Sequence, residues 1–238
     1  LSGANSYTGL TNIHAGTLVA ANNTALGAGG HNGNTMTFIH DGATLAMQGG
    51  ISLDEHFHVW GAGVSGLGAV RSISGHNTLS NSPGGGPGFN LRSNTTVGVD
   101  ADTLTVSGFY NGDAGSYGIT KVGAGTLTLK AACTYTGGTT VSAGTLLIDT
   151  TGSLGSGSLT VANNAVCELR NASGGVANTA AVTLNGTGRL NLASGVTETV
   201  GTLTIDGILQ AKGTWNATRD PVHFTGSGAL FVTDGPAP

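Results

Sequence analysis

Long-range repetition is the feature that most constrains this chain of 238 residues. Tyr7 recurs as Tyr135, 128 residues later, and its neighbours recur in the same order. The matching segments are Ser6-Tyr-Thr-Gly9 with Thr134-Tyr-Thr-Gly137, Ile13-His-Ala-Gly-Thr-Leu18 with Val141-Ser-Ala-Gly-Thr-Leu146, and Leu26-Gly27 with Leu154-Gly155. Repetition at long range, with a shorter rhythm inside it, is typical of a solenoid built from stacked coils.

The shorter rhythm is clearest in the second half of the chain. Apolar residues recur there at intervals of 19 to 23 residues in one series and of 20 or 21 in another. The first series is Leu127, Leu146, Cys167, Leu190, Leu209 and Leu230, and the second is Val141, Val161, Val182, Leu203 and Phe224. Gly, Asn, Ser and Asp lie between them, so each coil is predicted to hold at least two short strands joined by turns.

The segments between the turns predict strands. Thr126-Leu-Thr-Leu-Lys130 and Thr202-Leu-Thr-Ile205 alternate apolar residues with threonine at a period of two. The 43 glycines would weaken helices, whereas threonine and β-branched residues suit a pleated surface. Because successive coils wind in one direction, their strands pair in parallel, and parallel crossovers are strongly right-handed. The sequence therefore predicts an all-β fold, a right-handed parallel β-helix (β-solenoid).

Composition excludes several classes of partner. Charged residues make up 8% of the chain, against about 25% in ordinary soluble domains. The formal net charge is -4 and no basic stripe is present, so no nucleic acid is expected as a partner. No apolar run reaches the roughly 18 residues that a membrane span needs. No secretory leader precedes Leu1, which lies inside a repeat, so we expect a mature or excised piece of a longer protein.

Stacking is expected to continue through residues 1–238 as a single domain. The rhythm breaks between Gly75 and Asn94, a segment that contains Ser82-Pro-Gly-Gly-Gly-Pro-Gly88. Two prolines and four glycines do not suit a central strand, so a Gly/Pro-rich loop insertion is predicted around 75–94. Such a loop either protrudes without a role or serves as a binding or protease-sensitive segment.

Several strings resemble a known repeat family. The strings are Lys121-Val-Gly-Ala-Gly-Thr-Leu-Thr-Leu129, Thr134-Tyr-Thr-Gly-Gly-Thr-Thr-Val-Ser-Ala-Gly-Thr-Leu146 and Leu154-Gly-Ser-Gly-Ser-Leu-Thr-Val161. They are similar to the autotransporter-associated β-strand repeat, also called the passenger-associated transport repeat. The resemblance is strong over residues 121–161, good over residues 1–27 and looser elsewhere. It implies a bacterial secreted or surface-exposed right-handed β-helix, and it supplies no catalytic residues.

An enzyme acting on extracellular glycans is the main alternative to a structural role. Parallel β-helices can carry carboxylates on successive coils that bind calcium or act as acid and base. Asp100 and Asp102, with Asp113 beyond them, are candidates, but solvated turn carboxylates are the competing interpretation. Trp60, Trp215 and the four tyrosines are few and dispersed for a sugar platform. No catalytic residue is therefore predicted.

The densest polar group in the sequence is Asp54-Glu55 followed by His56-Phe-His58. Residues two apart project from the same side of a strand, so His56 and His58 are weak candidates to chelate Zn²⁺ or Cu²⁺ with a third ligand from a neighbouring coil. A surface or turn role is the competing interpretation, and no cofactor is predicted. The remaining histidines show no ligand spacing: His14, His31, His40, His76 and His223.

The two cysteines and the outward threonines carry weaker expectations. Cys167 belongs to an inward apolar series and is predicted to be a buried free thiol, whereas Cys133 is expected in a turn, and a disulfide between them is disfavoured. Outward threonine pairs could form an ice-binding ladder, but they do not recur in every coil, so β propensity explains them better. The pairs are Thr35-Met-Thr37, Thr103-Leu-Thr105, Thr126-Leu-Thr128 and Thr202-Leu-Thr204.

An open solenoid end exposes unpaired backbone and apolar surface. Thr225-Gly-Ser-Gly-Ala-Leu-Phe-Val232 aligns with the segment that leads into Tyr135, and the chain begins with the equivalent tyrosine. We therefore hypothesise head-to-tail stacking of copies through Leu1, Tyr7, Leu230 and Val232. The alternative is that neighbouring repeats of a longer chain cover both ends.

These observations predict a structural or adhesive β-helix of a bacterial secreted or cell-surface protein, and not an enzyme. It would form a stiff stalk or, by stacking of open ends, an extracellular fibre. Its expected partners are itself, or neighbouring repeats of a longer chain, and surface glycans. A small-target binding module that uses the histidine pair or a threonine face is a third hypothesis.

Overall fold

The computed structural model describes residues 1–27, 35–80, 89–111 and 115–237. These residues form 26 short strands and one 3₁₀ turn, Val64–Gly66. The strands stack in parallel into long sheets around one apolar interior. The predicted all-β parallel solenoid is therefore confirmed.

The strands are short and follow one another around each coil. The first nine are β1 (Thr11–Ile13), β2 (Gly16–Ala20), β3 (Thr37–Ile39), β4 (Ala43–Gln48), β5 (Ser52–Asp54), β6 (Phe57–Val59), β7 (Val70–Ser74), β8 (Asn77–Ser80) and β9 (Phe89–Leu91). The next nine are β10 (Thr95–Val99), β11 (Thr103–Val106), β12 (Tyr110–Asn111), β13 (Ile119–Val122), β14 (Thr126–Leu129), β15 (Thr139–Val141), β16 (Thr145–Ile148), β17 (Leu159–Val161) and β18 (Val166–Leu169). The last eight are β19 (Ala181–Leu184), β20 (Arg189–Leu192), β21 (Thr197–Val200), β22 (Thr202–Ile205), β23 (Ile208–Leu209), β24 (Gly213–Trp215), β25 (Phe224–Gly226) and β26 (Ala229–Val232).

Four sheets make up the sides of the solenoid. The five-stranded sheet has the order β1-β3-β6-β9-β12, and the ten-stranded sheet has the order β2-β4-β7-β10-β13-β15-β17-β19-β22-β23. The eight-stranded sheet has the order β25-β20-β18-β16-β14-β11-β8-β5, and a small sheet has the order β21-β26-β24. Neighbouring strands are parallel except at β22–β23 and β24–β26, where the chain turns back on itself.

The interior is a set of apolar columns. In the eight-stranded sheet Leu127, Leu146, Cys167 and Leu190 lie in register on successive strands and are fully buried. Burial of such a side chain contributes about 1.5–3 kcal/mol. The first predicted series is correct up to this point and wrong beyond it, because the next residue in register is Phe224. The expected member, Leu209, lies in an antiparallel hairpin and is 48% exposed.

The second predicted series has the right face but the wrong register. Val141 pairs with Val161 as expected, but Val161 then pairs with Leu184, while Val182 pairs with Leu159. The slip is two residues long, and a slip of two leaves every side chain on the same face of a strand. The predicted residues are therefore buried although their columns differ. Phe224, the last member, belongs to the eight-stranded sheet.

The segment predicted as a loop, 75–94, contains two strands. They are β8 and β9, and the proline- and glycine-rich centre, residues 81–88, lies outside the described residues. Across the described ranges, no helix has the length and apolar character needed to cross a membrane.

Candidate functional site

Aromatic and imidazole rings collect on the outer face of the five-stranded sheet. His14, His40 and Trp60 each directly follow one strand of that sheet, so register alignment stacks them. The ring centroids of His14 and His40 are 4.3 Å apart, and those of His40 and Trp60 are 5.4 Å apart. In both pairs the ring planes are nearly parallel. These rings are 26 and 20 residues apart in sequence, and the register between coils brings them together. The sequence does carry a signal for this stack, because an aromatic or imidazole residue directly follows the apolar last residue of each of these three strands.

A second column of rings stands beside the first. Phe38 pairs in register with His58, and their rings stack with centroids 4.8 Å apart. His56 stacks on His58 at 4.9 Å. We call the two columns together the ring stack: His14, Phe38, His40, His56, His58 and Trp60. Because the ring faces lie against one another, the stack offers few free faces on which a sugar could stack.

The histidine pair that could have held a metal is engaged within the protein. The Asn90 side-chain amide donates a hydrogen bond to His56 Nε2, and Arg92 Nε donates to His58 Nδ1 over 2.9 Å. No group of three or more His, Cys, Asp or Glu residues able to hold a metal occurs in the described ranges, and His31 lies outside them. Among the described residues, no His, Cys, Asp or Glu completes a three-ligand group with His56 and His58.

Burial favours the uncharged form of two histidines in the ring stack, His40 and His58. It lowers the pKa of His58 to about 4, and the positive charge of Arg92 and the neighbouring His56 lower it further. Burial, together with His14, also lowers the pKa of His40. At neutral pH both rings are thus neutral, and stacking carries no charge repulsion.

Glu55 lies inside the solenoid. Glu55 is 4% exposed, and its carboxyl group accepts a hydrogen bond from the hydroxyl of Thr37, which is itself fully buried. Burial raises the pKa of Glu55 to about 7, and Asp54 adds to the rise. Because this group faces the interior beneath the sheet, its shifted pKa reflects a structural environment and not an accessible acid or base.

Two of the three candidate carboxylates of an enzyme site have a structural partner. Asp100 forms a two-pronged ion pair with Arg71, with Nη2 to Oδ2 at 2.7 Å and Nε to Oδ1 at 3.1 Å. Asp102 has a left-handed backbone, at φ 56°, and accepts a hydrogen bond from the Gly75 N–H over 2.8 Å. Asp113 lies outside the described residues. The described pair is thus used to hold turns together.

Both cysteines are free and buried. Cys167 occupies the inward column as predicted. Cys133 lies between strands, but it is only 7% exposed, and its sulfur accepts a hydrogen bond from the Phe109 N–H over 3.4 Å. Burial raises the pKa of each thiol to about 12, so neither forms a reactive thiolate at neutral pH.

Two buried charged residues were missed by the sequence analysis. Lys121 takes an inward position between Val97 and Val141, and its Nζ donates to the carbonyl oxygens of Gly123 at 2.6 Å and Ala143 at 3.0 Å. Burial lowers the pKa of Lys121 to about 8. Glu198 is likewise fully buried and accepts hydrogen bonds from backbone N–H groups of the 174–176 turn. Both side chains thus form hydrogen bonds with backbone groups of turns, Lys121 with carbonyl oxygens and Glu198 with N–H groups.

The threonine pairs form only short ladders. Thr103 and Thr126 are in register, as are Thr105 and Thr128, but the next residue in the second ladder is Leu147. Thr37 faces the interior. The predicted lack of regularity therefore holds for these pairs.

A different set of threonines does recur on every coil over six consecutive strands. We call this set the threonine column; it follows the outer face of the ten-stranded sheet from β10 to β22. Its members are Thr96, Thr120, Thr140, Thr160, Thr183 and Thr204. All are half-buried. Each of them follows an inward residue within its strand, and only Thr204 belongs to a Thr-x-Thr pair, so a search for such pairs overlooks the other five.

An open cavity of about 250 Å³ lies beside the threonine column. Its lining includes Thr120 and Thr140, together with Asn94, Gly118 and Gly138. Asn94 Oδ1 accepts a hydrogen bond from the Gly118 N–H over 2.9 Å, which fixes the amide. A Cβ at Gly118 would lie 2.1 Å from the Gly138 carbonyl oxygen, so this close coil contact requires glycine.

The self-association residues divide into two environments. Leu1 is 49% exposed and Tyr7 is 41% exposed, as a stacking surface requires. Leu230 and Val232 are fully buried, because β26 pairs with β21 on one side and β24 on the other. Phe231, between them, is the exposed residue of that strand.

Comparison with known proteins identifies the repeat. The family model described as Passenger-associated-transport-repeat matches residues 1–20 and 119–148. No match was found among curated proteins or among solved structures. The two matched segments contain the first two of the three repeated strings in each copy, and both lie in coils of a parallel solenoid. The N-terminal segment and an interior segment of the chain are therefore similar to the passenger-associated transport repeat.

Proposed function

We propose that this chain is a stiff structural segment of a bacterial secreted or cell-surface passenger protein, a stalk that holds other surfaces outside the cell. The observation that supports this function best is the unbroken parallel ladder from β2 to β22 in a chain that carries passenger repeats. Each coil is hydrogen-bonded to the next along this ladder, so bending requires many bonds to break together. The repeat family favours a scaffold role over catalysis.

Small-angle scattering and cell labelling test the two parts of this proposal. Nine parallel strands at roughly 4.8 Å spacing give a ladder about 40 Å long. Scattering should show a rod at least that long whose dimensions do not change with ionic strength. Antibodies raised against the chain should label intact cells of the source organism or its medium. Labelling that requires permeabilised cells would contradict the extracellular location.

Head-to-tail stacking into a fibre is the second candidate, and the exposed Leu1 and Tyr7 favour it. Leu230 and Val232 cannot take part without unfolding of β26, so Phe231 and the exposed hairpin residues Ile208 and Leu209 would form the other surface. Light scattering over a concentration series decides this point. Growth in mass with concentration, abolished by Tyr7→Lys, supports the fibre, and a constant monomer mass excludes it.

A further inference from the structure

We propose that the outer face of the ten-stranded sheet binds a straight, uncharged polysaccharide chain, laid along the threonine column and into the neighbouring cavity. This inference goes beyond the stalk function and does not depend on it. It assigns a ligand class to a surface that lies away from the ring stack.

The hydroxyl groups of the threonine column are available to a ligand. In the part of the chain that the structure describes, none of the six has a protein hydrogen-bond partner, in contrast to Thr103, whose hydroxyl bonds to His76. Register pairing places them on adjacent strands, so they recur at roughly 4.8 Å along a line. Threonine is stiff at χ1, so binding immobilises little side-chain freedom. A regular row of free donors and acceptors results.

The chemistry of the cavity selects an uncharged ligand. Its lining consists of a side-chain amide, two threonines, an isoleucine and two glycines, and none of these residues is charged. A charged saccharide would lose water there without gaining an ion pair. Hydroxyl and amide groups, by contrast, exchange hydrogen bonds readily with sugar hydroxyls. A neutral saccharide therefore fits this lining.

The straightness of the row selects the linkage. A β-1,4-linked glucan is an extended chain whose hydroxyls point sideways at regular intervals, whereas an α-1,4-linked glucan coils. Only the extended chain can follow the threonine column over several coils. Many weak contacts along one chain then add up, as they do in multivalent binding.

Retention on insoluble cellulose and titration with soluble cellohexaose test the proposal. The test variant is Thr120→Val with Thr140→Val, which removes two hydroxyls next to the cavity and keeps their shape. The matched control is Thr126→Val with Thr145→Val, an outward pair in register on the eight-stranded sheet. Two lost hydrogen bonds should weaken cellohexaose binding about tenfold or more. The control pair should leave binding unchanged, and amylose should not compete.

Three results would overturn the proposal. Wild-type protein that passes through cellulose without retention excludes it. Equal weakening by both variant pairs shows that binding does not use the threonine column. Ice shaping by wild-type protein, lost only in the Thr120/Thr140 variant and without glucan binding, assigns the column to ordered water instead. Each of these results leaves the rod shape untouched, so failure here is distinct from failure of the stalk proposal.

Discussion

The two copies of the repeat have the same local structure and different surroundings. In the N-terminal copy the Tyr7 hydroxyl is 2.8 Å from the Thr11 hydroxyl, and in the interior copy Tyr135 is 2.5 Å from Thr139. Yet Tyr7 is 41% exposed, whereas Tyr135 is fully buried, which raises its pKa well above the usual range. The repeat sequence thus specifies a tyrosine–threonine contact, and the neighbouring coil decides whether it belongs to the core.

The neighbouring coil is visible in the hydrogen bonds of the interior copy. Thr134 N–H donates to the Phe109 carbonyl at 3.0 Å, and Gly137 N–H donates to the Tyr117 carbonyl at 2.9 Å. The copies also lie on different sides of the solenoid, because β1 belongs to the five-stranded sheet and β15 to the ten-stranded sheet. A repeat copy therefore encodes one coil and not its position around the axis.

Replacing the tyrosine by alanine should give the largest difference in stability between the two copies. Tyr135→Ala empties a fully buried site and should lower the free energy of unfolding by about 3–5 kcal/mol. Tyr7→Ala removes a ring that is partly in water and should cost less than about 1 kcal/mol. Urea unfolding followed by circular dichroism measures both. Equal costs would show that the repeat sequence, and not the neighbouring coil, sets the energy of this contact.

The glycine beneath each tyrosine should show a smaller difference. A Cβ at Gly155 would lie 1.9 Å from the Tyr135 carbonyl oxygen in a rigid interior, so Gly155→Ala should cost about 2–3 kcal/mol. At Gly27 the corresponding distance to Tyr7 is 2.4 Å, but the terminal coil can shift. The remaining cost of Gly27→Ala comes from its φ of +95°, about 1 kcal/mol. Urea unfolding of the two variants measures both losses of stability. A larger loss for Gly27→Ala than for Gly155→Ala would contradict the proposed difference between the copies.

Adding a coil in front of Leu1 should make the N-terminal copy resemble the interior one. A variant that carries an extra copy of residues 109–128 directly before Leu1 reproduces the order found in the interior. Amide hydrogen exchange in β1 and β2 should then slow about tenfold, because these strands gain a covering coil. A scrambled extension of the same composition is the control. Equal protection by both extensions would mean that length alone, without the repeat, stabilises the end.

Acid should weaken the N-terminal copy selectively. The interior copy has Ser142 where the N-terminal copy has His14, and the ring stack lies on the N-terminal side. The pKa of His40 and His58 in the folded protein is below the ordinary 6.5. The unfolded chain therefore binds protons first at these two rings, and the stability that they contribute above pH 6.5 is lost as pH falls toward 4. Glu55 opposes this loss, because its pKa of about 7 in the folded protein is above the ordinary 4.5 and its protonation between pH 7 and pH 4.5 favours the folded state. With Glu55→Gln as the background, which removes the opposing titration, exchange in β1 and β3, corrected for intrinsic rates, should speed up from pH 7 to pH 5, while β15 and β17 stay unchanged. His58→Gln should remove most of the effect.

The inward columns show what periodicity can and cannot predict. Leu127, Leu146 and Cys167 were assigned correctly, since turns of similar length separate them. Leu209 was misplaced, because the chain reverses at β22–β23 and equal spacing no longer means equal position. Spacing identifies columns only while coils keep one direction and one length.

The candidate surfaces also could not be predicted from spacing along the sequence. His56 and His58 were singled out because they are close in sequence, whereas His14, His40 and Trp60 stack although 26 and 20 residues separate them. The threonine column went unnoticed for the same reason. A surface composed of one residue per coil becomes visible only when the register between coils is known.

The sequence by itself determined that this chain is a parallel β-solenoid, because alternation of apolar and threonine residues and the spacing of turns are local properties. The tertiary structure decided which residues share a column, which copy of the tyrosine is buried and which faces carry rings or hydroxyls. These depend on the length of each coil, and a change of one or two residues in one turn shifts every later contact along the axis.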